Sequence, residues 1–226
     1  IFPFLAIMRY LLPSILTLGT IFFSSLPTEA ITTSPDIVLS EVSITGEKST
    51  DEYIELYNTS NTDIDLSGKQ LRRKTQGDSE SSIKVFPSHS IVPAHGYFLW
   101  ANSQGIFKAP FADTETSSSA LASDNSIGLF SQSGSDGQLI DSLSWGKGAL
   151  FSPTDVALPN PAKNTSPTRD LATLTWSNEN VLTPTNSRGE AWTQPAPDPP
   201  PLPPTTSIPS VRFNEVFANP KGDEAQ

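Results

Sequence analysis

The 226 residues carry 24 acidic and 14 basic side chains, a formal net charge of −10 at pH 7. Such a field repels nucleic acid and anionic lipid and attracts cations, and the one locally basic run, Arg72-Arg73-Lys74, is too small for the phosphate neutralisation that nucleic-acid binding needs. The absence of cysteine excludes disulfides, thiolate metal sites and cysteine nucleophiles, so outside the cytoplasm the chain has only packing to hold it together.

Residues 4–26 are almost all apolar. Read from Met8, a short positive start (Met8-Arg9) leads into an apolar run from Tyr10 to Phe23. Ser24 and Ser25 follow, and Thr28 and Ala30 take the −3 and −1 positions of a cleavage site after Ala30. The run is short for a membrane span of about 20 residues, and Pro13 and Gly19 weaken it as a helix. Residues 1–30 are therefore expected to be a signal peptide, with an uncleaved N-terminal anchor helix as the alternative. Either reading makes the protein exported, extracellular or in the cell envelope, with membrane contact only through this segment.

From Ile37 the hydrophobic period becomes two. Ile37–Ile44, Tyr53–Asn58, Ile64–Gly68 with Gln70–Lys74, Ile83–Phe86 and the apolar run Tyr97–Trp100 read as strands separated by turn residues. Ile127–Phe130 and Leu139–Trp145 flank the turn Ser133–Gly137 as a hairpin. No helical period occurs before Ala149, and short strands with regular turns predict an antiparallel β-sandwich over residues 31–192. Its core is expected in 37–146 and a looser part in 147–192, where one edge strand is placed at Leu171–Trp176. Residues 193–210 form a proline-rich linker, with eight prolines between Thr193 and Pro209. Such composition favours an extended spacer.

The last residues, Val211–Gln226, repeat the pattern of Ile37–Glu52: apolar, any, apolar, polar, Glu, Val, then a turn and an acidic pair. They are read as the start of a truncated second copy. The ordered series Ser-Glu-Val (40–42), Asp-Glu-Tyr-Ile-Glu-Leu-Tyr-Asn (51–58), Ile-Asp-Leu-Ser-Gly (64–68), Ile-Val-Pro-Ala-His-Gly-Tyr-Phe-Leu (91–99) and Leu-Ile-Asp-Ser-Leu-Ser-Trp (139–145) resembles a lamin tail domain. The phrase NEVFANPKGDEA near the C-terminus resembles the opening of bacterial, exported members. The resemblance implies an immunoglobulin-like fold and a module found alone, repeated, or beside hydrolase domains.

No nucleophile elbow, phosphate loop or His-Glu-x-x-His pattern is present. His89 and His95 lie near turns without evident partners. No catalytic residue and no cofactor is expected. Glu52 and Glu55 have opposite parity on one strand and so cannot simply share a site. Glu41, Asp51 and Glu52 are the candidates for a calcium ion, since hard cations take oxygen ligands. The turn at 133–137 has similar standing. Asn58-Thr-Ser60 and Asn164-Thr-Ser166 match the glycosylation acceptor pattern. The expectation is a non-catalytic surface or secreted module that binds a protein or cell-surface glycan. The alternative is the targeting part of a larger exported nuclease or phosphoesterase.

Overall fold

The computed structural model describes residues 35–117 and 121–193. The expected signal segment, the expected proline-rich linker from residue 194 on and the expected second copy lie outside the described residues. Twelve strands are present: β1 (Ile37–Ser43), β2 (Tyr53–Asn58), β3 (Ile64–Asp65), β4 (Gln70–Thr75), β5 (Glu80–Val85), β6 (Ile91–Val92), β7 (Tyr97–Asn102), β8 (Thr114–Thr116), β9 (Asn125–Phe130), β10 (Leu139–Ser144), β11 (Thr165–Arg169) and β12 (Trp176–Val181). No helix occurs among the described residues.

A six-stranded sheet has the order β12-β11-β1-β2-β7-β8 and a four-stranded sheet the order β10-β9-β4-β5, with β3 and β6 forming a small third pair. All pairings are antiparallel except β7 with β8. The two large sheets share one apolar interior. Leu39, Val42, Ile54, Leu56, Phe98 and Trp100 come from the larger sheet, and Leu71, Ile127, Leu129 and Leu143 from the smaller.

Alternation explains which residues face that interior. In β2, Ile54 and Leu56 enter it while Tyr53 and Glu55 point to the outer face. In β7, Phe98 and Trp100 enter it while Leu99 and Ala101 join Tyr53 in a second apolar cluster on that outer face. The smaller sheet carries cations over aromatic rings on its own outer side: Arg72 lies 3.9 Å from the Phe130 centroid and Lys74 lies 4.9 Å from that of Phe151. Phe151 packs edge-on against Phe130.

The C-terminal part differs from the sequence expectation. Leu171–Thr175 is the turn between two strands, and the strands are Thr165–Arg169 and Trp176–Val181. The reason is Pro167, whose missing N–H argues against a strand. The sheet accommodates it where the register of β11 against β12 shifts between Ser166 and Thr168, a position that asks no ladder bond of it.

Gly105 marks a tight join between the loop after β7 and the turn before β2. A Cβ at this position would sit 2.1 Å from the Thr50 carbonyl oxygen and 3.1 Å from the Asp51 Cα, both backbone atoms that cannot swing away. Gly105→Ala is expected to cost about 1–3 kcal/mol through overpacking, read as a lower urea midpoint with an unchanged slope.

Candidate functional site

The outer face of the six-stranded sheet holds a concentration of buried polar groups, and a bulge creates it. Leu39 pairs with Leu56 and Glu41 with Glu55, leaving Ser40 as the extra residue in β1. In a regular strand, with Ser40 paired in turn, alternation would send Glu41 after Leu39 into the apolar interior. With the bulge, Val42 takes the inward position and Glu41 turns outward beside Glu55. Both carboxylates are almost fully enclosed, at 2% and 4% exposure.

Their enclosure is completed from distant sequence. Glu41 Oε1 accepts hydrogen bonds from the Tyr53 hydroxyl, from Ser166 Oγ at 2.6 Å and from the Thr183 N–H at 3.0 Å, and its Oε2 accepts from Thr183 Oγ1 at 3.0 Å. Glu55 Oε1 accepts from Ser40 Oγ at 2.5 Å, and its Oε2 from the Thr185 N–H at 2.6 Å. A third carboxylate extends the row. Asp113 Oδ2 accepts the N–H groups of Leu99 at 2.8 Å and Ser187 at 2.9 Å, and Oδ1 accepts from Ser187 Oγ at 2.6 Å.

Residues 182–192 thus form a strap across the sheet. Its aromatic end is Trp192, stacked edge-on against Phe107 at 4.9 Å and Phe111 at 5.1 Å, with Phe107 in turn edge-on to Tyr53 at 4.8 Å. Ile106, Phe107, Val181, Leu182 and Trp192, with Glu47 and Asn164 among the polar contributors, line a hollow of about 400 Å³.

Electrostatically the carboxylates differ. Burial pushes the Glu55 carboxyl up to about 8, helped by the neighbouring Glu41 and opposed by the bonds from Ser40 and Thr185. Burial and the adjacent Glu41 also raise the Tyr53 hydroxyl well above its usual value. At the other edge of β1, Asp141 Oδ2 accepts the Leu39 N–H at 2.7 Å and lies 3.0 Å from the Arg169 guanidinium, which stacks 4.5 Å from the Trp176 centroid. Burial raises Asp141 despite that cation.

The three calcium candidates are engaged separately. Glu41 belongs to the strap contacts. Asp51 closes its own turn, with Oδ2 accepting from the Lys48 N–H at 2.8 Å and Oδ1 from the Ile106 N–H at 3.1 Å. Glu52 is buried at the start of β2, where Oε2 accepts from Asn102 Nδ2 at 2.9 Å. Burial pushes its carboxyl to about 7, against the pull of Asn102, the Leu121 backbone and the Arg73 charge. Among the described residues no group of three or more acidic or histidine side chains is placed to hold a metal ion. His89 and His95 both occupy turns with positive φ, 67° and 53°, and His95 Nε2 lies 2.8 Å from Asn61 Oδ1. The 133–137 turn is bound instead by Arg72, which donates to the Gly134 carbonyl.

Sequence reading passed over Asp113, Asp141, Arg169 and the strap. The alternate hydroxyls Thr183, Thr185 and Ser187 were the one local sign, since spacing of two puts side chains on one side of an extended segment.

A family model described as Lamin Tail Domain matches residues 30–147. No curated protein matches the chain. The matched region contains β1 to β10 and all three carboxylates of the row, whereas β11, β12 and the strap follow it in sequence. With this match over more than half of its length, on strands that build the sandwich between them, the chain belongs to the lamin tail domain family.

Proposed function

We propose that the chain is a non-catalytic binding or structural module of an exported, multi-domain protein. The observation that carries this reading is the state of its buried acids. Glu41 and Glu55 are adjacent, as a hydrolase pair would be, yet every one of their oxygens accepts a hydrogen bond from within the fold. A general acid and base must instead reach a substrate proton. The small cavity beside them is about 110 Å³, well below the usual size of a ligand pocket. Membership of a family of immunoglobulin-like domains supports the same reading.

Export rests on the signal pattern of residues 1–30, and the proline-rich stretch after Trp192 serves as a spacer toward the repeat that begins at Val211. The surface offered to a protein or glycan partner is the hollow beside Trp192, where aromatic walls meet the polar side chains of Glu47 and Asn164.

The purified full chain is expected to show no turnover of phosphoester or glycoside substrates. Hydrolysis that disappears in Glu41→Gln, Glu52→Gln or Glu55→Gln while the fold is retained would overturn the proposal.

A further inference from the structure

We propose that residues 182–192 are a proton-operated latch: the strap stays closed over the outer face of the six-stranded sheet while Glu55 retains a proton, and opens when Glu55 is ionised.

The geometry is unlike that of a strand. The strap belongs to neither large sheet, and carboxylates replace the carbonyl oxygens of a neighbouring strand. The backbone N–H groups of alternate residues, Thr183, Thr185 and Ser187, go to Glu41, Glu55 and Asp113 at 3.0, 2.6 and 2.9 Å. A carbonyl acceptor carries no titratable proton, whereas the Glu55 carboxyl does, and burial pushes it up to about 8. A strap held in this way responds to pH where a sheet ladder would not.

The groups facing Glu55 define the response. Ser40 and Glu41 come from β1, Tyr53 from β2, Tyr97 from β7, Thr168 and Arg169 from β11, and Thr183 and Thr185 from the strap. The cation in this set, Arg169, is committed to Asp141 at 3.0 Å. A second negative charge beside Glu41 therefore has hydrogen-bond donors but no free counter-ion among these side chains. A protonated Glu55 fits the closed geometry. In the ionised form Ser40 Oγ donates to Oε1 at 2.5 Å; on protonation the same contact can reverse, the carboxyl hydroxyl donating to Ser40 Oγ, while Oε2 keeps the Thr185 N–H.

The sign follows from the raised value. Closed, Glu55 sits near 8. Released into water it returns toward the ordinary 4.5. The closed state therefore holds a proton that the open state gives up. Closure is strongest below the ordinary value and weakens as pH rises through the raised one. Opening frees eleven residues, which at about 3.3 Å each adds some tens of Å to the reach of the chain beyond Trp192. It also uncovers Tyr53, Leu99 and Phe107.

The test is amide hydrogen exchange by NMR on the full chain, with each rate corrected for intrinsic base catalysis. Between about pH 6 and about pH 9 the protection of Thr183 and Thr185 is expected to fall by about tenfold or more, with the amides of β2 and β7 changing far less. In Glu55→Gln the strap amides should keep constant protection across the same range. Flat protection in the unmodified chain, or an undiminished slope in Glu55→Gln, would overturn the latch. Should that variant not fold, the carbon-13 carboxyl titration of Glu55 in the unmodified chain decides. A midpoint well above the usual glutamate range supports the latch, and one within that range refutes it.

Discussion

Replacing Arg169 by methionine lowers stability by about 3–5 kcal/mol near neutral pH, and the loss shrinks in acid. Arg169 and Asp141 form a pair with side-chain exposures of 7% and 12%, so water does little to screen either charge. The pair also organises structure. Asp141 in β10 receives the Leu39 N–H from β1 and so ties the edge strand of the smaller sheet to an inner strand of the larger one, while Arg169 comes from β11. Methionine keeps much of the packing over Trp176 but removes the cation, leaving a buried carboxylate with only neutral donors. Burial already raises Asp141 above its usual 3.8 with Arg169 opposing it, so removing the cation raises it further. A folded-state value above the unfolded one means that the variant is most stable below the usual aspartate range and loses stability as pH rises through the folded value. Urea unfolding at acid and neutral pH measures the difference. A loss that is equal at both would show that Arg169 acts by packing alone. Combining Arg169→Met with Asp141→Asn should recover part of the loss, because the uncompensated charge is then gone.

How far these contacts were legible in the sequence depends on their range. The alternation in Tyr53–Asn58 and the apolar run at Tyr97–Trp100 report burial on the two faces of a local stretch, and both became central strands of the larger sheet. The turn residues at 133–137 likewise marked a real hairpin between β9 and β10. In sequence Glu41 lies close to Asp51 and Glu52. Its partners are instead Tyr53, Ser166 and Thr183, the last two 125 and 142 residues away. The bulge that turns Glu41 outward leaves no mark in a sequence read one strand at a time, because it is a property of the pairing between β1 and β2.

The same limit explains the C-terminal part. Apolar residues at Leu171, Leu174 and Trp176 suggest a strand by composition, while Thr-Ser-Pro-Thr-Arg does not. The structure reverses the two because β11 is recruited by its neighbours. Ser166 supplies a hydroxyl to Glu41, and Arg169 supplies the charge for Asp141. Polar demands created by β1 and β10 select this strand, and hydrophobic periodicity carries no information about them.

Trp100→Ala is expected to remove about 3–5 kcal/mol, most of the margin of a domain whose total stability is of order 5–15 kcal/mol. Trp100 is fully buried and sits in β7 between Ile54 of β2 and Thr114 of β8, with its ring in the interior shared by the two sheets. An indole of this kind removes about 200 Å² from water, which at about 25 cal/mol per Å² is about 5 kcal/mol. Rigid strands on either side prevent the resulting cavity from closing, and the Thr116 hydroxyl loses its contact with Nε1 at 3.2 Å. Trp192→Ala gives the contrasting result. Trp192 is only partly buried, and its stacking partners Phe107 and Phe111 belong to the outer cluster, so its loss should loosen the strap while the main unfolding transition moves little. Urea melts followed by far-ultraviolet circular dichroism, which reads the strands and not the tryptophans that the variants remove, separate the two. A loss below about 1 kcal/mol for Trp100→Ala would mean that the two sheets do not depend on a common interior, because a well-packed tryptophan cannot be truncated so cheaply.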